Sequence, residues 1–231
     1  MKKSLIITLF IVIILLVGGA VFWNQRQTKM VYQPYTGTDL NTQVKRTFPP
    51  EQIKEWEDKV RATQDTIAKF DDKTTTETRI NTFFLLYSQQ DFLGHYGDAK
   101  KTLEQALALE VSHNLLQVYA SLLVKMGNRE AALPYIDMAL RLMPLETNLW
   151  RTKIDIQRAI VGPAQLATIE DTYKNALQAT KSDINMITLY AAYLAELGRH
   201  EEAIVYWEIA KKVYPTNATI FDKEIEALKK D

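Results

Sequence analysis

Small and large apolar residues alternate with helical spacing in the stretch 198–217. Ala203, Trp207 and Ala210 stand at i, i+4 and i+7, and Pro215 follows them. Residues at this spacing lie on one face of an α-helix, so the stretch predicts a helix that buries a tryptophan between two small side chains. The proline then ends the element, because proline cannot continue the hydrogen bonding of a helix.

The same pattern of small, large and small side chains occurs in three earlier segments. Its members there are Ala99, Leu103 and Ala106; Ala132, Ile136 and Ala139; and, with isoleucine in the first place, Ile169, Tyr173 and Ala176. Their spacing divides the chain between 80 and 217 into four repeats, 80–112, 113–146, 147–183 and 184–217. Each repeat predicts a first helix, a turn and a second helix that carries the pattern.

The first helix of each repeat has a large apolar residue at one shared position. These residues are Phe83, Leu116, Trp150 and Ile187. In the second and fourth repeats, Gly127 and Gly198 predict the end of this helix, because glycine best tolerates the left-handed conformation of a helix cap. In the second helix, the alanines let two backbones approach closely while the larger residues fill the gaps beside them.

The four repeats resemble the tetratricopeptide repeat (TPR) family, whose unit is a helix–turn–helix of 34 residues with this pattern and a closing proline. The resemblance is strong in "GNREAALPYIDMALRLMP" and "GRHEEAIVYWEIAKKVYP". The first repeat departs from it at Val111, and the third at Ile169, at Lys181 and in an extended turn around Gly162 and Pro163. The resemblance implies an all-α, TPR-like helical solenoid of about four helix pairs plus a capping helix.

Two amphipathic segments flank the repeats. The first, residues 49–79, predicts a packing helix and a connection, with these apolar residues on one face: Ile53, Trp56, Val60 and Ile67. That face is open to packing on the repeats or to a short coiled coil with another chain, and the small number of heptads favours the repeats. Thr74 and Glu77 predict a capping box before the next helix. Residues 218–231 predict the polar-backed cap of a solenoid end.

The amino-terminal residues carry a membrane signal. In residues 4–23 only Ser4 and Thr8 are polar, and twenty helical residues rise about 30 Å, the thickness of a hydrocarbon core. We expect a single retained transmembrane helix, with residues 1–3 as a cytoplasmic head and the repeats outside the cytoplasm, on a slight charge bias. A cleaved signal peptide is the alternative, because the small residues at 18–20 offer a cleavage site.

Residues 24–48 lack a helical period and contain Pro34 and Gly37. This composition predicts a flexible tether between the anchor and the first amphipathic helix. Docking of Tyr32 and Tyr35 on the repeats is the alternative, and exposed tyrosines are favoured. As flexible coil the tether would span about 28 Å, and fully stretched about 80 Å.

Composition limits the classes of function. The chain has 28 basic and 28 acidic residues, so it has no overall charge that would attract nucleic acid. It has no cysteine and three histidines, and no second histidine follows His200 at zinc-protease spacing. The sequence also lacks a glycine-rich phosphate loop and a nucleophile elbow. We therefore expect a protein that is not an enzyme and that uses no cofactor, no metal and no small-molecule substrate.

The resemblance also implies a groove, lined by one face of the first helices, for a peptide or a partner protein. Its ligand-facing positions are Asn81, Phe84 and Ser88; Asn114, Gln117 and Ser121; Asn148, Arg151, Asp155 and Arg158; and Asn185, Thr188 and Ala192. Chaperone-binding members of the family clamp a carboxylate with lysine and asparagine in the first repeat. Phe84 and Ser88 occupy those places here, so this clamp is not expected.

Two features of this set each allow two interpretations. Asparagine stands at the same position in all four repeats, either to satisfy free backbone donors at a helix start or to hold the backbone of an extended peptide. Arg151, Asp155 and Arg158 stand at i, i+4 and i+7 and form one stripe. The stripe is either a surface salt-bridge ladder or a site for an acidic partner.

Together these expectations predict a membrane-tethered TPR scaffold or assembly factor in the inner membrane of a bacterial cell envelope. It would bind a protein or peptide partner in its groove, outside the cytoplasm, and would bind no nucleic acid. Two alternatives stay open at this point. One is a structural subunit of an envelope complex, and the other is a secreted TPR protein, if the amino-terminal segment is cleaved.

Overall fold

The structure is a computed structural model that describes residues 32–160 and 165–230. The predicted anchor at 4–23 and residues 24–31 of the predicted tether lie outside the described residues. Within the described ranges, no helix is both long enough and apolar enough to cross a membrane. Residues from Pro34 onward form one compact unit, which is the fold presented below.

The described residues form ten α-helices and no β-strand. In chain order they are α1 (Pro50–Ile67), α2 (Thr76–Leu93), α3 (Tyr96–Leu109), α4 (His113–Lys125), α5 (Arg129–Leu142), α6 (Thr147–Ala159), α7 (Gln165–Ala179), α8 (Ile184–Glu196), α9 (His200–Val213) and α10 (Ala218–Leu228). A short 3-10 turn, Pro215–Asn217, precedes α10. Helix α2, the first helix of the first repeat, starts at Thr76, close to the start that Thr74 and Glu77 predict.

Neighbouring helices pack as four pairs, α2 with α3, α4 with α5, α6 with α7 and α8 with α9. The second helix of each pair also packs on the first helix of the next pair, and α4 contacts α6 as α6 contacts α8. Contacts that run only to the next unit are typical of a solenoid. Helix α1 packs on α2 and helix α10 on α9, which confirms the predicted all-α arrangement of four pairs with a capping helix.

The pattern of small and large side chains forms the core between the helices of each pair. Its alanines, Ala139 and Ala210 among them, are all 0% exposed, and so is Ile136 beside Ala139. Trp207 is 9% exposed and stacks on Phe221 of α10, with ring centroids 5.9 Å apart. Burial of each such large side chain stabilises the fold by about 1.5–3 kcal/mol. Helix α10 therefore covers an apolar end that the last repeat would otherwise expose.

The turns follow the predicted chemistry in the regular repeats. Gly127 and Gly198 end the first helices with φ of 87° and 71°, the left-handed region that glycine enters most easily. The third repeat departs at its end, as its sequence departs from the pattern there. After α7 the chain turns through Lys181 and Ser182, whose φ values of 53° and 60° are rare for residues with a side chain.

The predicted capping box of Thr74 and Glu77 is wrong by one residue. The hydroxyl of Thr75, rather than that of Thr74, accepts the hydrogen bond from the Thr78 backbone N–H, at 3.1 Å. The Thr74 hydroxyl instead donates to Asp71 Oδ1 at 2.9 Å. Asp71 competes for Thr74 as a local partner, and this competition moves the helix start to the next threonine.

Trp150 does not share the buried position of the other first-helix residues. Phe83, Leu116 and Ile187 are buried as predicted, with 9%, 0% and 1% exposure. Trp150 is half-buried, and its indole N–H donates to the Pro144 carbonyl at 2.8 Å. Leu149 and Ile154 fill the core of the third repeat instead. The indole N–H therefore has its acceptor in the loop before α6 rather than in the core.

The second part of the predicted tether lies against the repeats. Residues 34–48, which we name the strap, run along the turns of the first two repeats. The Asn41 backbone N–H donates to the Met126 carbonyl at 3.0 Å, and the Gly97 N–H donates to the Thr42 carbonyl at 2.8 Å. The structure thus corrects the expectation of a flexible segment for residues 34–48, because its backbone and side chains find specific partners on the repeats.

Candidate partner-binding surfaces

The predicted groove residues all lie on the first helices α2, α4, α6 and α8. Those with exposed side chains are Asn81, Phe84, Ser88, Asn114, Asn148, Arg151, Asp155, Arg158 and Asn185; those with half-buried side chains are Gln117, Ser121, Thr188 and Ala192. None of these described residues belongs to the core. The set is therefore accessible at the surface, and its role in binding stays a prediction.

The four asparagines do not cap their helices. The side chains that accept the capping hydrogen bonds at α4, α6 and α8 belong to Ser112, Glu146 and Asp183, which precede the asparagines. Asn81 lies well inside α2, which begins at Thr76. Within the described part of the chain, the four asparagine side chains make no hydrogen bond to another residue. The capping interpretation is therefore wrong, and four side-chain amides remain free to meet a ligand.

Other polar residues of the set are engaged within the protein. Gln117 Nε2 donates to Thr152 Oγ1 at 2.8 Å and so links α4 to α6. The hydroxyls of Ser88 and Thr188 donate to carbonyls of their own helices, at 2.7 and 3.1 Å. A hydroxyl that donates in this way keeps its capacity to accept a further hydrogen bond. Gln117 thus joins two repeats, whereas the hydroxyls still offer acceptors at the surface.

Arg151, Asp155 and Arg158 do not form the predicted salt-bridge ladder. Arg158 binds Glu196 on α8 instead, and its guanidinium lies 5.7 Å from the centroid of the Tyr193 ring. Arg151 and Asp155 are exposed, and neither makes an ion pair with another described residue. Exposed ion pairs are worth about 0–1 kcal/mol, so the Arg158 pair links two repeats only weakly. Two charges of the stripe are left without a protein partner.

An apolar patch lies at the amino-terminal end of this surface. Phe84 and Leu85 on α2 are 41% and 50% exposed, and the Phe84 ring lies 5.6 Å from that of Tyr87. Phe84 was predicted as a groove residue, whereas Leu85 was not. The sequence feature that could have indicated Leu85 is its position next to Phe84, because an exposed apolar residue does not contribute to the core.

The ion pair between the strap and the repeats was not predicted. Lys100 Nζ on α3 lies 3.0 Å from Asp39 Oδ2, and the Lys100 side chain is only 10% exposed. Beside this pair lies an open cleft of about 490 Å³ that is lined both by the strap, at Asp39, Thr42 and Gln43, and by the start of α3. Lysine is rarely buried without a counter-charge. A lysine at this position of a second helix is therefore the sequence feature that could have indicated the contact.

Tyrosine rings fill the junction of the third and fourth repeats. The centroid of the Tyr173 ring lies 5.0 Å from that of Tyr190 and 5.0 Å from that of Tyr193. Tyr206 meets Tyr190 edge to face, with centroids 4.6 Å apart. Burial raises the pKa of Tyr173 to about 12, so the cluster stays neutral at ordinary pH.

A charged cluster covers these rings. Arg199 Nη1 lies 2.6 Å from Glu170 Oε2, and Lys174 Nζ lies 2.8 Å from Glu170 Oε1. Hydrogen bonds from Arg199 and then from Lys174 lower the pKa of Glu170 to about 2. The carboxylate therefore stays ionised, and the cluster joins the last two repeats. Nowhere in residues 32–160 and 165–230 do three or more potential metal ligands come together.

Comparison with known proteins finds likeness in fold alone. No family model and no curated protein matches the sequence. The crystal structure of MamA matches with 15% identity and a TM-score of 0.53, over 73% of this chain and 94% of MamA. YrrB, described as a TPR protein with an unusual peptide-binding site, matches with 16% identity and a TM-score of 0.50, over 78% of this chain and 86% of YrrB.

A tetratricopeptide repeat protein from Parabacteroides merdae matches with 16% identity and a TM-score of 0.53, over 77% of this chain and 70% of that protein. At such identities the likeness concerns the path of the backbone. The chain therefore has the all-α, TPR-like helical solenoid fold.

Proposed function

We propose that this chain is a membrane-tethered scaffold that holds an extended segment of a partner protein along its first helices. The observation that carries this proposal is the row of asparagines, one at the same position of each predicted repeat, with side chains that are exposed and not hydrogen-bonded to any described residue. A side-chain amide offers both donors and an acceptor, which is what the backbone of an extended peptide requires. Solenoid repeats present such groups at a regular step.

The neighbouring side chains indicate which partner fits. Phe84 and Leu85 offer an apolar contact at one end of the row, and Arg151 and Asp155 offer unpaired charges in the third repeat. A partner segment would therefore place an apolar residue against α2 and polar residues against α6. The fold supports binding rather than catalysis, and the peptide-binding site described for YrrB supports a peptide as the ligand.

The membrane part of the proposal is supported by the apolar run at 4–23. With the strap bound to the repeats, ten residues, 24–33, connect it to the predicted anchor, and ten residues stretch to at most about 35 Å. We infer that the repeats work outside the cytoplasm on a connection shorter than the tether of about 80 Å that the sequence alone suggested.

A second candidate function is that of a structural subunit in an envelope complex. Val205, Ile209 and Val213 stand four residues apart on α9 and are 56%, 38% and 52% exposed. An exposed apolar stripe on one helix face is typical of a protein interface. A purified chain that is always oligomeric, and that becomes monomeric when Val205 and Ile209 are replaced by Ser, would favour this function.

Photo-crosslinking in the native cell tests the first proposal. A photoreactive residue at Ser88 should capture a partner, and replacing Asn81, Asn114, Asn148 and Asn185 together by Ala should strongly reduce the capture at an unchanged Tm. Gln105 and Gln178, exposed on second helices, provide the matched control when both are replaced by Ala. Capture that is unaffected by the asparagine changes would exclude the asparagine row as the binding surface.

A further inference from the structure

The strap is bound to the repeats through its backbone at the turns. Besides the hydrogen bonds of Asn41 and Thr42, the Val44 N–H donates to the Gly94 carbonyl at 2.9 Å. These contacts lie at the turns before α3 and α5 and at the start of α3. Backbone contacts of this kind accept an extended segment of almost any sequence.

The side-chain contacts of the strap select a particular chemistry. The Asp39 carboxylate receives Lys100 Nζ at 3.0 and 3.2 Å and Asn128 Nδ2 at 3.3 Å. Lys100 is 8% exposed, and a nearly buried ammonium group without a counter-charge would strongly destabilise the fold. Glu104 Oε1 of α3 lies 3.9 Å from the same Nζ, so the carboxylate of the strap is the nearer of two counter-charges and Lys100 keeps one when the strap leaves.

An aromatic residue is recognised four positions before that carboxylate. The Tyr35 N–H donates to the Tyr119 hydroxyl at 3.1 Å, and Lys100 Nζ lies 5.1 Å from the centroid of the Tyr35 ring. The Tyr119 hydroxyl in turn donates to Glu104 Oε1 at 2.8 Å. A cation at this distance is attracted to the face of the ring. The same lysine therefore contacts both the Tyr35 ring and the Asp39 carboxylate.

The strap is held without being buried. None of the residues 34–48 is buried, and Leu40 at its middle is 67% exposed. Elements with few buried apolar contacts open locally at a small fraction of the global stability. A segment with the same chemistry and additional apolar contacts would therefore replace the strap while the repeats stay folded.

We infer that the surface beneath the strap is a second binding site, for an extended segment of a partner protein that carries an aromatic residue and, four residues later, a carboxylate. The strap is the resting occupant of this site. A partner protein is the expected source of the segment, because the strap of a second copy would make only the contacts that the chain's own strap already makes at high effective concentration. This inference is independent of the asparagine row on the first helices.

A labelled peptide of residues 34–48 tests the inference, with the full chain in detergent micelles and fluorescence anisotropy as the measurement. The Asp39→Ala chain, whose own strap is loosened, should bind the peptide roughly tenfold more tightly than the wild-type chain, as expected when one ion pair no longer competes. Failure of the peptide to bind a folded Asp39→Ala chain, or equal affinity for both chains, would overturn the inference.

Charge reversal supplies the matched control. The chain with Asp39→Ala and Lys100→Glu should not bind the natural peptide, and a peptide with Asp39→Lys should restore binding to that chain. Restored binding also shows that the Lys100→Glu chain is folded. Dimerisation of the Asp39→Ala chain in light scattering would assign the site to a second copy and overturn the assignment to a partner protein. Replacing Asn114 and Asn148 by Ala should leave peptide binding unchanged, which separates this test from that of the asparagine row.

Discussion

Arg199 binds Glu170 across the boundary of the third and fourth repeats, with Nη1 2.6 Å from Oε2. Glu170 and Lys100 occupy the same position of their repeats, directly after the first member of the pattern of small and large residues. The two positions carry opposite charges. Lys100 takes its counter-charge from Asp39 of the strap, whereas Glu170 takes it from the turn of the next repeat. Only the first arrangement uses a segment from outside the repeats, in addition to Glu104 of the same helix, 3.9 Å from Lys100 Nζ.

The Glu170 cluster predicts how stability depends on acid. The pKa of Glu170 is lowered from 4.5 to about 2 in the folded chain. A carboxyl group with a lowered pKa stabilises the fold above its unfolded value, and this contribution is lost as the pH falls from about 4.5 to about 2. We expect the Tm of wild type to fall more steeply across this window than that of Glu170→Gln, measured by circular dichroism. Glu201→Gln, exposed on α9, is the control and should follow wild type.

The buried alanines predict a cost of overpacking. Ala139→Leu and Ala210→Leu should each lower the free energy of unfolding by roughly 1–3 kcal/mol, because the added atoms have no space between the helices. Lys212→Gln on the same helix as Ala210 is exposed and should change it by less than about 0.5 kcal/mol. Urea titration gives these values, and a negligible effect at both alanines would contradict the observed packing.

Alanine variants of two glycines distinguish the cost of backbone strain from the cost of losing the strap contact. Gly94 and Gly198 have φ of 78° and 71°, so alanine at either position costs about 1 kcal/mol in strain. A Cβ on Gly94 would lie 2.2 Å from the Val44 carbonyl oxygen, whereas a Cβ on Gly198 would meet nothing within 4 Å. Gly94→Ala should therefore also displace the strap and cost about 1 kcal/mol more through lost hydrogen bonds.

Hydrogen exchange of residues 34–48 checks this difference directly. Exchange there should become faster in Gly94→Ala and stay unchanged in Gly198→Ala. Equal exchange in the two variants would mean that the strap does not depend on its contact with the first turn.

Substitutions in the charged stripe on α6 distinguish an arginine that binds a partner from an arginine that stabilises the fold. Arg151 makes no ion pair within the described chain, so Arg151→Glu should leave the Tm unchanged and, if the stripe contacts an acidic partner, reduce crosslinking from Ser88. Arg158→Glu should lower the Tm slightly, because it places two carboxylates together at Glu196, and Glu196→Arg in the same chain should restore it. Unchanged crosslinking in Arg151→Glu would place this arginine outside the binding surface.

The proposed topology predicts the outcome of protease treatment. Protease added to spheroplasts should digest the repeats and leave a short membrane fragment that contains residues 4–23. Protection of the repeats until lysis would contradict the orientation. Recovery of the intact repeats in the soluble envelope fraction would instead identify residues 4–23 as a cleaved signal.

The register of the repeats was predictable because it depends on local periodicity. Ala139, Ile136 and Ala210 lie in the core where their spacing placed them, since side chains on one face of a helix share one environment whatever the partner helix is. The helix ends at Gly127 and Gly198 were equally predictable, because the left-handed conformation of a helix cap depends on the type of one residue.

The contacts that depend on distant residues were not predictable. Trp150 has the size and position of a core residue, and only the nearby Pro144 carbonyl turns it toward the surface. Arg158 has a carboxylate three residues away in Asp155, yet it binds Glu196 of the next repeat. In both cases several partners are possible, and the sequence does not show which of them the side chain will contact.

The sequence by itself thus determined the all-α class, the four helix pairs and the cap, because helical spacing and small residues specify which faces pack together. Only the tertiary structure decided the course of residues 34–48. That segment has no period and buries no side chain, and it is held by Lys100, Tyr119 and the backbone of two turns. These groups lie far from it in the chain, and folding of the repeats alone brings them to one surface.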